Sequence, residues 1–457
     1  MTRNKKSLRS STVTPKKVFF ISLGCPKNTV DTEVMAGILL THGYHLTFEM
    51  ENADVVVVNT CAFIPEAREE AAQTIEEVVE WKQERPEHRR LVVAGCLVQY
   101  DRLEQKYKNA YPEVDLWCGV DWLTQLPGLL QEKGNGEVFV SADPHYLYDE
   151  TTPRLQFTAD HVAYLKIADG CNNRCTYCSI PNIRGNLRSR SIESVVAEAK
   201  VLIANGVKEL VLIAQDITAF GADLNDGSNF AQLLRALDAL EGDFKLRLLY
   251  THPAHFTDEA IEAFAAAKHV YHYLDIPLQH INDTILKRMG RRVGRAEVEM
   301  VLAKLRKAVP DLVLRTTFIT GFPGEDEKAY QELKEFISAF KFERLGVFAY
   351  SPEPNTPAAE FPDQVALDVA EARAMELMEI QKEISRAFNA TWIGREIEVL
   401  IDGADGNSLI ARGQADAPEI DNAVLIEDLS GELEPGQWCR VRIIGGDEYD
   451  LEAELVK

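Results

Sequence analysis

The sequence predicts an α/β protein in three folded parts, and three observations carry that reading. Short apolar runs rich in β-branched residues alternate with stretches of helical period, first over 18–120 and again, more regularly, over 162–352. After one long amphipathic stretch at 368–389, the period changes to alternation of apolar and polar residues. The length, 457 residues, is also too great for one core at roughly 100–200 residues per domain. With 46% hydrophobic and 26% charged residues, the composition is globular, neither disordered nor fibrous.

Residues 1–17 hold six Lys/Arg, no acid and no apolar stretch, which predicts a floppy basic tail over 1–16 rather than a secretory signal. No apolar run approaches the ~20 residues of a membrane span, so the chain is expected in the cytoplasm and off membranes. The first folded part, 17–140, has strand candidates at 18–23, 53–59 and 91–94 with helices at 31–42 and 66–85. Strands that alternate with helices imply a parallel sheet covered on both faces, a doubly wound α/β domain. Residues 141–160, with Pro144, Pro153 and little periodicity, read as a connector.

The second part, 161–388, has strand candidates at 162–167, 209–214, 245–250, 273–277, 313–320 and 345–350. Helix candidates fall at 192–204, 230–240, 258–268, 295–308 and 326–340. Eight such units closing a barrel take roughly 250 residues. Six units predict a partial (β/α)6 barrel of the TIM type, with an open parallel sheet as the alternative, and the helix 368–389 leads out of it. Over 390–457, Ile397, Val399 and Ile401, then Val441 and Ile443, alternate between Gly- and Asp-rich turns, which predicts a small antiparallel β-barrel.

The net charge is −23, and −29 without residues 1–17. That balance argues against nucleic acid as the substrate, since its binding relies on Lys/Arg neutralising phosphates, and favours basic partners. No phosphate-gripping Gly-x-x-x-x-Gly-Lys loop and no Ser-His-Asp arrangement is evident.

Eight cysteines in a chain expected inside the cell point to metal or redox chemistry. Cys171, Cys175 and Cys178 sit just past the first barrel strand, at the end of the barrel where such folds place their active sites. Three close thiolates can hold three irons of a cubane 4Fe–4S cluster and leave the fourth iron open. Cys25, Cys61 and Cys96 each follow a strand of the first part, and in an open parallel sheet those loops converge on one edge. Gly24 and Gly95 precede two of them and allow close backbone approach. These three are read as ligands of a second cluster with its own open iron. Cys118 and Cys439 lack such partners and read as core residues.

The run Cys171-Asn-Asn-Arg-Cys175-Thr-Tyr177-Cys178 resembles the radical S-adenosylmethionine superfamily, whose mark is Cys-x-x-x-Cys-x-aromatic-Cys, with Tyr177 as the aromatic. With a second trio of cysteines and a C-terminal β-barrel, the chain from Lys17 onward resembles the methylthiotransferases. That family joins an N-terminal methylthiotransferase domain, a radical barrel and a TRAM domain. Two branches are known, one acting on transfer-RNA adenosine and one on an aspartate of the twelfth protein of the small ribosomal subunit. The stretches Ser22–Asn28, with Pro26-Lys27, Ala163–Ile167, Ile180–Gly185, Asp275–His280, Phe318–Glu325 and Ala415–Asp421 are similar to the ribosomal branch.

The resemblance implies two 4Fe–4S clusters and two S-adenosylmethionine molecules per turnover. One donates a methyl group to sulfur at the Cys25/Cys61/Cys96 cluster. The other is cleaved at the catalytic Cys171/Cys175/Cys178 cluster, giving the 5′-deoxyadenosyl radical that takes hydrogen from the aspartate β-carbon. It further implies S-adenosylmethionine contacts from Tyr177, Gln215, Asp216, Arg315, Gly321, Gly324 and Glu325. Asp216 would meet the ammonium and Arg315 the carboxylate, although both also suit a structural ion pair at a barrel rim. His280 reads equally well as a rim hydrogen-bonder. The implied partners are the ribosomal protein, free or in the assembled subunit, and an electron donor of the flavodoxin kind. The sulfur donor is left open.

Over 391–457 there are five Lys/Arg and sixteen Asp/Glu. A module that grips RNA should be basic, and an acidic one suits a basic ribosomal protein. A transfer-RNA methylthiotransferase of the same architecture is the first alternative. A non-catalytic iron–sulfur scaffold or RNA-binding protein is the second.

Overall fold

The computed structural model describes residues 16–131, 136–406, 408–427 and 433–456, so the basic tail, apart from Lys16, lies outside the described residues. The chain divides into two compact units, one of residues up to 62, 66–142 and 152–155, the other of 63–65, 143–151 and 156 onward. The connector expected at 141–160 is thus shared between them.

In the first unit the strands are β1 (Lys17–Ser22), β2 (His45–Leu46), β3 (Val55–Thr60), β4 (Arg90–Gly95), β5 (Leu116–Cys118) and β6 (Glu137–Phe139). They form one parallel sheet in the order β2-β1-β3-β4-β5-β6. Its helices are α1 (Pro26–Thr41), α2 (Pro65–Gln83), α3 (Cys96–Tyr100), α4 (Lys106–Ala110) and α5 (Leu126–Leu129). β3 is buried along its whole length, as a central strand with helices on both faces must be. The chain leaves β1 in one direction to β2 and returns to its other side for β3. The β1/β3 junction is therefore the switch point, where loops diverge and a crevice opens at the strand carboxyl ends.

In the second unit β7 (Val162–Lys166) leads into a two-stranded ribbon of β8 (Ala168–Asp169) and β9 (Arg188–Ser189). Five further strands follow: β10 (Glu209–Ile213), β11 (Lys245–Leu248), β12 (Val270–Asp275), β13 (Val313–Thr320) and β14 (Arg344–Ala349). With β7 they pair in the order β14-β13-β12-β11-β10-β7, all parallel, a six-stranded sheet with β7 and β14 at its edges. The helices are α6 (Ile180–Arg184), α7 (Ile192–Ala204), α8 (Phe230–Asp238), α9 (Asp258–Ala266), α10 (Asp283–Arg288), α11 (Arg295–Ala308), α12 (Glu327–Phe340) and α13 (Leu367–Ala390). Their apolar faces pack on the strands through residues such as Val195, Leu233, Phe264, Leu302 and Leu333. α7, β13 and α11 have the expected ends. α10 was not expected, because six residues are too few to show a period.

β15 (Glu396–Asp405), β16 (Ser408–Arg412), β17 (Val424–Glu427), β18 (Trp438–Gly446) and β19 (Leu451–Leu455) close into a barrel in the order β15-β16-β17-β19-β18. Val399, Ile401, Val441 and Ile443 fill its centre, as the alternation requires. The segment between β16 and β17 reaches into the six-stranded sheet. Gly413 O and Gln414 O accept from Arg247 of β11 at 3.0 Å each, and Asp416 pairs with Arg344 of β14 at 2.7 Å. Asp421 pairs with Arg315 of β13 at 3.4 Å and accepts from Tyr273 of β12. One short segment can touch β11, β12, β13 and β14 only if the sheet is curled, so the six strands form an incomplete barrel.

This joint lies at the amino ends of the strands. Glu209 and Arg344 are the first residues of β10 and β14, and His161, just before β7, bonds Asp402 of β15 at 3.0 Å. Glu209 is fully buried between Arg247 and Arg412, and Arg412 also pairs with Asp402. Removing one partner of a buried ion pair strands the other charge, at a cost of about 3–5 kcal/mol. Arg412→Met should therefore lower stability to denaturant by that amount and loosen residues 391–457 to limited proteolysis. Adding Glu209→Gln should recover part of the loss. An unchanged denaturation midpoint would show that the joint is held by apolar contacts instead.

Candidate functional site

Two groups of cysteines lie at strand carboxyl ends, one in each unit. In the first unit Cys25 directly precedes α1, Cys61 follows β3 by one residue, and Cys96 opens α3 immediately after β4. β1, β3 and β4 are neighbours, so cysteines separated by 35 and 34 intervening residues arrive on one edge. Gly24 (φ +89°) passes so close to Cys61 that a Cβ there would lie 2.5 Å from the Cys61 Cβ. Gly95 (φ +94°) leaves room for the Asn59 side chain, which a Cβ would meet at 2.2 Å. Both glycines are required by space as well as by backbone conformation.

Asn28 ties the three loops together. Its Nδ2 donates to Leu23 O (3.0 Å) and Thr60 O (2.9 Å), the residues before Gly24 and Cys61. Its Oδ1 accepts from Cys96 Sγ at 3.6 Å. Asn59 Nδ2 in turn donates to Asn28 O and to Thr32 Oγ1, each at 2.9 Å. Cys61 and Cys96 are buried and Cys25 half-buried. Three thiol-bearing residues with one partly open to the surface suit a metal cluster that keeps an exchangeable position. Sequence reasoning included Asn28 in a motif but gave it no role. Its signal was an Asn three residues after a Cys that caps a helix.

In the second unit the loop 170–179 carries Cys171, Cys175 and Cys178, all half-buried. It is clamped at both ends. Gly170 (φ +77°) passes Asn186, whose carbonyl oxygen would stand 2.0 Å from a Cβ. The preceding Asp169 is buried, paired with Lys166 (3.3 Å) and Arg184 (3.1 Å), and accepts from Gln215 Nε2 at 2.9 Å. Burial opposes its charge, but those cations hold its carboxyl well below the usual carboxylate range. Further on, Thr176 N donates to Met289 O (3.0 Å) and Thr176 Oγ1 to Arg288 O (2.8 Å), at the end of α10. Tyr177 packs edge-on to Phe322 with ring centres 6.4 Å apart. The unexpected α10 is thus one jaw of the clamp.

Burial pushes the Cys171 and Cys178 thiols up to about 11 and about 12. They ionise only when a cation pays that cost, which a metal does on binding. Arg291 is buried beside them, and its Nη1 donates to Cys175 Sγ at 3.7 Å. A ligand set of three such thiols, with a guanidinium to offset their charge, fits an iron–sulfur cluster.

Asp216, at the end of β10, faces this loop. Its oxygens accept from Thr218 N (3.0 Å), Thr218 Oγ1 (2.5 Å), Ala219 N (3.2 Å), Asn173 Nδ2 (2.8 Å) and His255 Nδ1 (2.7 Å). Burial works against its ionisation, but the hydrogen bonds from His255 and Thr218 hold the carboxyl below its ordinary range. An oxygen of Asp216 and ring nitrogens of His252 and His255 lie within 4.8 Å of one another. The Ala254 N–H donates to His252 Nδ1 at 3.1 Å, which places the neutral ring's proton on Nε2. A protonated nitrogen cannot ligate, so in this tautomer His252 completes no cation site with Asp216 and His255.

The other expected contacts have defined places. Gln215 supports Asp169 through its amide nitrogen, and its Oε1 is buried without a partner. Glu325 is fully engaged, accepting from Gly321 N (2.9 Å), Arg373 (2.7 Å) and His280 Nε2 (3.2 Å). Gly321 (φ +71°) lets α13 approach, since a Cβ would lie 2.2 Å from the Ala370 Cβ, and Gly324 packs against Arg288. Arg315 sits with Asp275 (3.1 Å) and Asp421 (3.4 Å), in the joint with the C-terminal barrel. Cys118 lies in the core of the first unit, where burial raises its thiol far above the usual range, and Cys439 packs against the small barrel.

Three family models match the chain: the uncharacterized protein family UPF0004 over residues 17–119, the radical SAM superfamily over 165–337 and the TRAM domain over 393–456. The ribosomal protein uS12 methylthiotransferase RimO of Trichlorobacter lovleyi is 42% identical over 98% of this chain and 100% of its own length. That of Bdellovibrio bacteriovorus is 41% identical over 98% and 99%. That of Akkermansia muciniphila is 44% identical over 96% and 100%. Among solved structures, the radical S-adenosylmethionine methyltransferase TsrM of Kitasatospora setae shares the fold with TM-score 0.55 at 14% identity, covering 86% of this chain and 79% of that one. The cobalamin-dependent radical enzyme OxsB matches with TM-score 0.55 at 15% identity over 81% and 56%. With relatives matched end to end, the chain belongs to the ribosomal protein uS12 methylthiotransferases, transferases of the radical S-adenosylmethionine superfamily.

Proposed function

We propose that this chain adds a methylthio group to the β-carbon of an aspartate in ribosomal protein uS12, using two 4Fe–4S clusters and two S-adenosylmethionine molecules per turnover. The observation that carries this reading is the pair of cysteine trios, each gathered at strand carboxyl ends by its own clamp. The target carbon bears no proton acidic enough for a general base at neutral pH, so a hydrogen atom rather than a proton must be removed. A cluster on three thiolates supplies an open iron and the electron that cleaves S-adenosylmethionine.

Cys171, Cys175 and Cys178 would hold that cluster, with Arg291 offsetting the charge of the thiolates. Cys25, Cys61 and Cys96 would hold the second, which would carry the sulfur to be transferred. Gln215, whose Oε1 is buried and unpartnered, suits the ammonium of S-adenosylmethionine better than Asp216, whose oxygens already take five hydrogen bonds. The Arg315 side chain is spent on the inter-barrel joint, and Gly321, Gly324 and Glu325 shape the turn after β13. Tyr177 holds the cysteine loop on the apolar cluster around Phe322 and Met289.

Part of the acidity of the C-terminal barrel is turned inward. Asp402, Asp416 and Asp421 face the arginines of the joint and are not available to a substrate. Glu398, Asp405, Glu427, Glu434 and Glu452 remain exposed, which still favours a basic protein over an RNA backbone. An enzyme acting on uS12 works in the cytoplasm, and a flavodoxin-type protein suits its need for single electrons. Among the described residues no helix is long and apolar enough to cross a membrane.

Mass spectrometry of uS12 from cells with and without the gene should show one methylthio unit on an aspartate only when the gene is present. Unmodified uS12 alongside new sulfur on a transfer-RNA nucleoside would overturn the substrate. Cys175→Ala should reduce 5′-deoxyadenosine formation to background. Cys61→Ala should leave that cleavage in place and abolish the methylthio product; thiolation that survives it would refute the second cluster. Asn28→Ala strands two carbonyls at about 1–3 kcal/mol each. It should release iron from the first unit to a chelator while sparing S-adenosylmethionine cleavage.

A further inference from the structure

Among the buried N–H donors beside the cysteine loop that have no partner are His252 Nε2 and Arg291 Nε. His252 lies just beyond β11 and is 4% exposed. Its backbone is fixed by Thr218, whose Oγ1 accepts from His252 N at 3.0 Å, and its Nδ1 caps Ala254 N–H. The ring is therefore locked in place with its proton on Nε2, and Nε2 has no partner. Arg291, 5% exposed, bonds Cys175 Sγ and Pro277 O through its terminal nitrogens, while its Nε is likewise without a partner.

His252 Nδ1 accepts from Ala254 and so carries no proton, which leaves a neutral ring; burial and the charge of Arg291 push its pKa the same way, down. The adjacent Asp216 cannot serve as the missing acceptor, because its oxygens are taken up by Asn173, His255, Thr218 and Ala219. A buried donor without an acceptor costs about 1–3 kcal/mol, and two beside the same loop mark a place where a ligand can supply the acceptors.

Resting on the methylthiotransferase reading, we infer that His252 and Arg291 form a carboxylate-binding corner, in which the His252 Nε2–H orients a carboxylate next to the Cys171/Cys175/Cys178 loop. Both small groups handled in that reaction carry one: the methionyl end of S-adenosylmethionine and the side chain of the target aspartate. A guanidinium with a fixed neutral N–H reads such a group by charge and by direction together. The corner thus makes His252 a positioning residue.

The test uses the anaerobically reconstituted holoenzyme and two variants. His252→Asn keeps the cap on Ala254 but withdraws the outer donor, and His252→Leu removes both. Equilibrium binding of S-adenosylmethionine, and separately of uS12 with its target aspartate intact or changed to Asn, is measured without reductant, alongside iron content. We expect His252→Asn to keep its iron and to weaken one ligand by about 10- to 100-fold. Weakened S-adenosylmethionine with unchanged uS12 identifies the methionyl carboxylate. Weakened uS12 with lost preference for Asp over Asn identifies the substrate side chain. If His252→Asn retains wild-type iron and binds both ligands as wild type does, the corner is refuted. Should the wild-type enzyme fail to thiolate uS12, the substrate reading falls instead, and the S-adenosylmethionine arm still decides the corner.

Discussion

The chemistry of this protein depends on a property of parallel sheets: every strand runs the same way, so the loops after neighbouring strands emerge on one edge. Cysteines in the first unit that are tens of residues apart become neighbours because β1, β3 and β4 lie side by side. The same rule puts the loop after β7 beside Asp216 after β10 and His252 after β11. What the rule leaves unsettled is how the loops are held, and there the chain uses small buried polar parts. Asn28 links three loops in the first unit, while Asp169 and the end of α10 clamp the cysteine loop in the second. Such groups are costly unless every bond is made, and here almost all of them are.

The second unit has two working ends. At the carboxyl ends of its strands stand the thiols and the donors facing them. At the amino ends the barrel is stoppered by the segment from Arg412 to Asp421, held by four arginines against buried acids. Buried ion pairs of this kind contribute little net stability but penalise any other docking, because a wrong position leaves charges unpaired. The joint therefore fixes where the small barrel sits on the sheet more than how strongly it is held.

Much of this was legible in the sequence. β13, α7 and α11 showed full periods and have the expected ends, and the small barrel followed from alternation alone. β2, β5 and β6, of two or three residues, were too short to display any period. Both cysteine trios could be placed, because their loops follow recognisable strands. The roles of Arg315 and Asp216 could not. Arg315 meets an acid 106 positions away in another barrel, a pairing no local pattern encodes. Asp216 caps the turn at Thr218 and Ala219, which the Asp-Ile-Thr order hinted at, but its bonds to Asn173 and His255 arise only from the fold. Asn28 and His252 went unassigned because their function is to bond backbone and ligand, and single polar residues carry no periodic signal.

The proposed reaction requires two separate trios of thiols, each holding its own cluster. Iron and acid-labile sulfide, counted per chain after anaerobic reconstitution, test it most directly when the intact protein is compared with one in which Cys25, Cys61 and Cys96 are all alanine. Iron should fall from about eight to about four per chain, with 5′-deoxyadenosine formation retained. About four irons in both proteins would contradict it.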